Sequence, residues 1–391
     1  MPWQEVRPMD AKVEFIAARR RGEESMAALC QRLGISRQCG YELWRRYQAE
    51  GIAGLKERSR APRVVPWAIT QAQAEAIVEL RDQHPSWGPK KLRAKLCQVA
   101  PEQQWPVRST IGDLLKRQGR IQPRARRRKA VPTPPSALTA AVGPNVVWCI
   151  DFKGWWRTGD GRRCDPLTVS DAFSRFLLCA EIVAHPDHEH CRRVLERVFR
   201  EYGLPEVIRS DNGTPFASLG AGGLSRLAVW WVKLGIVPER IEPAHPQQNG
   251  RHERMHRTMK AECAAVPAAD RSAQQQRLDE FRAEFNHERP HEALGQTAPA
   301  LHYQHSPRPY PARLEDPSYP AGYELRRVRS NGEIKWQNQL VFISAALCGE
   351  VIGLCENPQG DGEVLFGPVT LGTIDAVSLR LRRPEQSSKD G

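Results

Sequence analysis

From Leu114 to Ile150 the chain carries no acidic residue, yet Arg120, Arg124, Arg126, Arg127, Arg128 and Lys129 fall inside that stretch, followed by VPTPPSALTAAVGP. A basic, proline-rich tract cannot bury enough apolar surface to fold by itself. It therefore divides the chain into a leader and a body, and the two read differently. Residues 1–135 hold 27 Lys and Arg against 13 Asp and Glu, whereas residues 136–391 hold 31 against 32. The excess of positive charge is confined to the first third. Spread over helices that lack large apolar faces, it suits a phosphate backbone better than a lipid surface.

At 391 residues with 40% hydrophobic content, each part can bury a core, which excludes a disordered or fibrous chain. Mean hydropathy is −0.56 and no apolar run is long enough to cross a membrane, nor does the N-terminus read as a secretion leader, so a soluble protein is expected. The 10 cysteines are scattered singly, at 30, 39, 97, 149, 164, 179, 191, 263, 348 and 355. That pattern fits reduced thiols and a cytoplasmic, nucleoid-associated location.

Within the leader, residues 1–50 read as a helix-turn-helix. An amphipathic stretch from Asp10 to Arg20 is followed by Met26, Leu29, Cys30 and Leu33, then a turn at Gly34, then a helix capped by Ser36. This third helix is expected to bury Tyr41 or Leu43 with Trp44 and to turn Arg37, Gln38, Arg45 and Arg46 outward, as a major-groove reader would. Residues 51–68 read as a basic linker, with Arg58, Arg60 and Arg63 around Pro62 and Pro66, fit to lie along a DNA groove. A second helical module over 69–120 places Pro89 in a first helical turn and Ser109 as a cap. Residues 121–142 form the Pro-rich tether.

The body changes period. VVWCIDF, PLTVS, FLLCAEIV and PEVIRSDNG read as strands, and residues 191–203, 224–234, 250–265 and 272–286 as helices, the order of an α/β domain over 143–310 with a mixed sheet. From 320 to 385 short strands alternate with turns, which suggests a small closed β-barrel.

Three carboxylates fall where such a fold can bring them together. Asp151 and Asp211 each end an apolar strand, and Glu253 opens a helix after PAHPQQNGRH. A set of oxygen ligands selects Mg²⁺, with Mn²⁺ as substitute. Two like charges ~4 Å apart repel by about 4 kcal/mol at an effective dielectric near 20, so the cluster calls for divalent cations. Two such ions serve in-line phosphoryl displacement.

WCIDFKG, SDNGTPF, HPQQNGRHERMHRTMKAE and FNHERPHEALGQTAPALHY together resemble the catalytic blocks of integrase-core (DDE) transposases of bacterial insertion sequences, relatives of retroviral integrase with a ribonuclease H-like fold. The resemblance spans roughly residues 10–310, because a tandem helix-turn-helix leader is also usual in these enzymes. It implies that Asp151, Asp211 and Glu253 are the catalytic metal-binding triad. It also implies that Asn212, Gly213, Gln248, Asn249 and Gly250 form the turns presenting the acids, and that Arg257 and Lys260 touch DNA beside Glu253. Implied too are double-stranded DNA as partner, at least a dimer on it, and metal-dependent 3′-end cleavage with strand transfer. A nuclease that cuts without joining, and a silent DNA-binding regulator, are the alternatives. The spacing from Asp211 to Glu253 is wider than in retroviral integrases, with GTPFASLGAGGLSRLAVWW as the added length.

Other residues have bland readings beside sharper ones. Asp171 is either a fourth acid or the clasp of a hairpin, and its turn position favours the clasp. His185, His188, His190 and Cys191 invite zinc, but solvated loop histidines fit better. Glu253 and His256 have the spacing of a di-iron half-site without a second half. Trp155 and Trp156 suit base stacking or core packing equally. Arg289 and His291 match a family motif whose role the sequence leaves open.

Overall fold

The computed structural model describes residues 8–58, 69–121, 138–218, 220–242 and 245–383. Arg60, Arg63, Arg124, Arg126, Arg127, Arg128 and Lys129 lie outside the described residues. Contacts divide the chain into two units, Met1–Ala68 and Ile69–Gly391.

The first unit holds α1 (Pro8–Arg21), α2 (Met26–Arg32) and α3 (Arg37–Glu50). Ser25 and Ser36 accept hydrogen bonds from the Ala28 and Cys39 amides, which fixes the starts of α2 and α3. Gly34 makes the turn between them at φ 66°. Phe15, Ile16, Leu29, Cys30 and Leu43 form the core. Tyr41 is exposed, so Leu43 is the residue that fills the inward position. The stretch expected to be linker starts later than the sequence suggests: Gly51–Leu55 is a 3-10 turn that buries Leu55 in this core. The Arg46 side chain also turns back, donating to the Lys56 carbonyl at 2.5 Å.

In the second unit, α4 (Gln71–Gln83), α5 (Pro89–Val99) and α6 (Arg108–Arg117) pack around Ile77, Trp87, Leu92, Ile111 and Leu115. A capping box of Thr70 and Gln73 starts α4, and Pro89 starts α5. Ser109 is not a cap. The residue before α6 is Val107, which has no side-chain cap hydrogen bond, and the helix takes in Ser109.

The body is built on β1 (Val147–Phe152), β2 (Trp156–Arg157), β3 (Arg163–Asp171), β4 (Leu177–Val183), β5 (Val207–Ser210) and β6 (Val237–Arg240). Strand β3 pairs antiparallel with β1, β2 and β4, whereas β1, β5 and β6 run parallel, so the sheet is mixed as expected. Alternate side chains of β1 point to opposite faces. Trp148 and Ile150 join a core with α7 (His188–Tyr202) and α8 (Arg226–Lys233). On the other face α9 (Gly250–Met259), which runs on as a π turn over Lys260–Ala264, and α10 (Arg271–His287) cover Leu177 and Ala180 with Met255, Met259, Leu278 and Phe281. Burial on both faces accounts for the near-continuous apolar runs of β1 and β4. Asp171 is the hairpin clasp: its carboxylate accepts from the Ser174 amide at 2.6 Å, the Ser174 hydroxyl at 2.5 Å and the Asn145 amide at 2.8 Å.

After the α/β domain come β7 (Glu324–Arg327), β8 (Glu333–Trp336), β9 (Gln339–Phe342), β10 (Val351–Glu356), β11 (Gly362–Phe366), β12 (Val369–Ile374) and β13 (Leu381–Arg382). They form an antiparallel sheet in the order β13-β12-β11-β10-β7 with β8–β9 as a separate hairpin. Its apolar face continues the core around α8, and Lys233 of α8 pairs with Glu350 at 2.8 Å and Asp316 at 3.3 Å.

Helices α4–α6 dock on the α/β body rather than standing apart from it. The indole of fully buried Trp87 stacks on His84 and donates to Glu284 of α10 at 3.0 Å. Arg289 is the hub that the sequence left without a role: buried, it donates to Glu262 at 3.0 Å and Ser86 at 3.1 Å and stands 3.6 Å from Glu284. Removing one partner of such a set strands the rest. Trp87→Ala is expected to raise amide hydrogen exchange across α4–α6 by at least tenfold while the β1–β5 amides keep their protection. Equal protection of α4–α6 in the parent and in Trp87→Ala would show that this contact does not hold the helices.

Candidate active site

Strand β1 carries Asp151 to the edge of the core because four buried apolar residues precede it, and its odd register turns it toward α9. Asp151 lies opposite Thr168 of β3. Asp211 follows the last residue of β5, the strand that pairs parallel with β1, and its Oδ1 accepts from the Gly213 amide at 3.0 Å. Neighbouring parallel strands therefore deliver the two aspartates at the same end. The turn after Asp211 is pinned by Asn212, whose side-chain amide donates to the Ile241 carbonyl at 2.8 Å. Gln248 accepts from the Glu242 amide at 2.8 Å, Asn249 precedes α9 with a buried, unpartnered Oδ1, and Gly250 is the first residue of the helix.

Helix α9 presents two faces. Glu253, Arg257 and Lys260 line a hollow of about 440 Å³ with Lys153 and His256. The three are thus on one flank, as the spacing implied, although Lys260 sits where the α-helix gives way to the π turn. A second register, His252, Met255, His256 and Met259, is buried against the sheet, with His256 reaching the edge of the hollow.

The buried face holds a feature that the sequence did not reveal. The Thr168 hydroxyl donates to the Asp151 carbonyl at 2.9 Å, and its oxygen stands 2.8 Å from His252 Nε2 and 2.6 Å from His256 Nε2. With its own hydrogen committed, that oxygen can only accept, so the network assigns the proton of each imidazole to Nε2. Ser170 then donates to His252 Nδ1 at 2.7 Å. His256 Nδ1 is left as a bare lone pair 3.6 Å from Asp151 Oδ2. Burial holds both rings neutral, pushing His252 down to about 3 and His256 lower still, the latter with help from His252 and Lys153. Two histidines four residues apart on a helix were the available signal, but only the tertiary partner, Thr168, gives them a role.

Asp151 consequently faces little that stabilises its charge. Burial raises its carboxyl to about 7, with Asp211 the next contribution and Glu253 a smaller one in the same direction, while the Phe152 amide and Lys153 pull the other way. Asp211 and Glu253 thus both bear on the Asp151 carboxyl. Among the described residues, however, no three His, Cys, Asp or Glu side chains stand together as a ready ligand group. The donor set itself is what a hard divalent cation takes: three carboxylates that repel one another, with no imidazole hydrogen to satisfy them.

Elsewhere the sequence-based expectations divide. Arg37, Gln38 and Arg45 are exposed on α3. Arg58 is exposed but paired with Glu50. His190 pairs with Asp187 at 2.8 Å, and the Cys191 thiol is buried and pushed up to about 12 by burial. Trp155 is exposed between Arg163 and Arg157, whereas Trp156 is half-buried.

Two family models, each described as "Integrase core domain", match residues 141–246 and 234–299. Models described as "Helix-turn-helix domain" and "Homeodomain-like domain" match residues 11–63 and 39–115. The chain is 28% identical over 251 residues to the insertion element IS476 uncharacterized 39.2 kDa protein of Xanthomonas euvesicatoria, covering 64% of this chain and 69% of that one. It is 28% identical over 232 residues to the insertion element IS407 uncharacterized 31.7 kDa protein of Burkholderia multivorans, covering 58% and 79%. Among solved structures, the catalytic core domain of BIV integrase is similar at 19% identity and a TM-score of 0.32, over 41% of this chain and 93% of that one.

A carboxyl held near 7 in the native state and released near 3.8 in the unfolded chain binds its proton more tightly when folded. Stability contributed by this proton is therefore present below about pH 4 and lost as pH rises through 7. At 1.36 kcal/mol per unit, and reduced because the Asp151 side chain is 24% exposed, the loss is about 2 kcal/mol. Asp151→Asn should accordingly be more stable than the parent at pH 8 in EDTA and no more stable at pH 4. Urea unfolding at both pH values checks this, and equal stability at pH 8 contradicts it.

Proposed function

We propose that this chain, an integrase-core protein of the insertion-sequence transposase family with helix-turn-helix domains ahead of its core, binds the ends of a mobile DNA element, cleaves its 3′ strands and joins them to target DNA. What supports the reading is the delivery of Asp151 and Asp211 at the same end of neighbouring parallel strands, with Glu253 on α9 near enough to help raise the Asp151 carboxyl. Those three residues would hold Mg²⁺, or Mn²⁺ in its place, and a pair of such ions supplies polarisation of the attacking and leaving oxygens in an in-line phosphoryl displacement.

The chain's own residues do the rest. Asn212 and Gly213 fix the direction of Asp211, and Thr168 with His256 fixes β1 against α9, so that Asp151 and Glu253 keep their separation. Arg257 and Lys260, exposed beside Glu253, take the phosphates of the strand being cut. Arg37, Gln38 and Arg45 on α3 meet the element end in the major groove. Cutting two ends in one event calls for at least two copies of the chain on DNA.

Asp151→Asn, Asp211→Asn and Glu253→Gln are each expected to lose at least a thousandfold in end cleavage with Mg²⁺ while binding the ends within twofold of the parent. Cleavage and gel-shift assays on one preparation check this. Near-parental cleavage by any one of them would remove that residue from the triad. Arg257→Glu with Lys260→Glu should impair strand transfer at least tenfold and leave end binding within threefold. Parental joining would mean that this flank meets solvent only.

A further inference from the structure

On the flank of α9 away from Glu253 there is a second, larger cavity of about 700 Å³, within the range of small-ligand sites. Its walls combine cationic and aromatic side chains. Arg175 from the β3–β4 turn and Arg251 and Arg254 from α9 line it together with half-buried His291, behind which Met255 and Phe285 are buried. Arg175 and Arg251 both donate to the Ala172 carbonyl, the latter at 3.0 Å, which gathers two guanidinium groups at one point. Among the described residues none of Arg175, Arg251 and Arg254 has a carboxylate within salt-bridge distance. The acids that reach the cavity are already committed, Asp171 to Ser174 and Asn145, and Glu292 to Lys90.

A concentration of uncompensated cations in a recess is costly unless an anion enters it. The electrostatics carry that mark: burial, then Arg251 and Arg254, push Arg175 down to about 10, and burial with Arg289 pushes Lys91, also on the wall, down to about 8. The aromatic part of the wall is of a different kind. Phe285 and His291 meet edge to face with ring centroids 4.7 Å apart, and His291 has a buried Nε2 without a hydrogen-bond partner. Phosphate alone would need no such wall. A nucleotide would, because a cationic track beside an aromatic surface is how sequence-tolerant sites hold unpaired strands.

We propose that this cavity binds a short unpaired stretch of DNA, its phosphates against Arg175, Arg251 and Arg254 and a base against the half-buried ring of His291. The inference rests on the reading of the chain as a DNA-processing protein, and it adds a strand-holding site on a second flank of α9, with Arg257 reaching both this cavity and the hollow beside Glu253. A recess of about 700 Å³ is too small to take a duplex, so an end opened during processing would enter it as a single strand.

The test uses the full chain in EDTA, so it does not depend on cleavage. A single-stranded hexanucleotide carrying 5-iodouracil is cross-linked by ultraviolet light and the attachment mapped. Expected is attachment within residues 251–258 or 285–293, lost at least tenfold in Arg175→Gln/Arg251→Gln and unaffected by Asp151→Asn. Cross-links confined to other peptides would overturn the proposal, as would equal labelling of the double variant. Full competition by inorganic pyrophosphate at the concentration at which the hexanucleotide itself competes would also overturn it, by showing a site for small anions. Loss of cleavage activity in the parent with labelling intact would count against the transposase reading and leave this site standing.

Discussion

A carboxylate placed at the end of a buried strand, with two other carboxylates as neighbours, is the constraint around which the second unit is arranged. Left to itself Asp151 would avoid that position, because desolvation and like charge both disfavour its ionised form. It is held there by forces from elsewhere. Of the apolar residues before it, Trp148 and Ile150 pack against α7 and α8 and Val147 and Cys149 against Ala172 and Val207 on the other face, and its backbone carbonyl is tied to Thr168. Packing thus supplies the free energy that the charge cluster costs, a trade that is common where residues are kept for chemistry rather than for stability.

The polar seam between α9 and β3 shows how this is accomplished without a compensating charge. Two neutral imidazoles and two hydroxyls satisfy one another in a closed set, and the assigned tautomers leave His256 with a lone pair toward Asp151 in place of a proton. A protonated histidine at that position would neutralise the aspartate and compete with a metal for it. Burial prevents this by holding the ring neutral. The seam fixes the helix that carries Glu253 relative to the strand that carries Asp151, yet contributes nothing to quench the charge.

Much of this was legible in sequence and some was not, for identifiable reasons. The strand that carries Asp151 could be read because a buried strand leaves a continuous apolar run, and the starts of α3 and α5 because Ser36 and Pro89 are local signals. Ser109 misled because a serine two residues into a helix has the same look as a cap. The 3-10 turn over Gly51–Leu55 was missed because one buried leucine has no period. The docking of α4–α6 on α10 through Trp87, and the part taken by Arg289, depend on pairs about 200 positions apart in the chain, which no local pattern encodes. The same is true of Thr168 between His252 and His256, and of the cationic cavity, whose arginines come from two separate segments.

Asp151 lacks a counter-charge, which a divalent cation would supply. Carbon-13 chemical shifts of labelled aspartate carboxyls, with Asp151 assigned by its Asn variant, measure this directly across a pH titration. The expected result is a midpoint near 7 in EDTA that falls by two units or more in millimolar Mg²⁺. A midpoint near 4 in both conditions would contradict the account, because Asp151 would then already be satisfied by the protein alone.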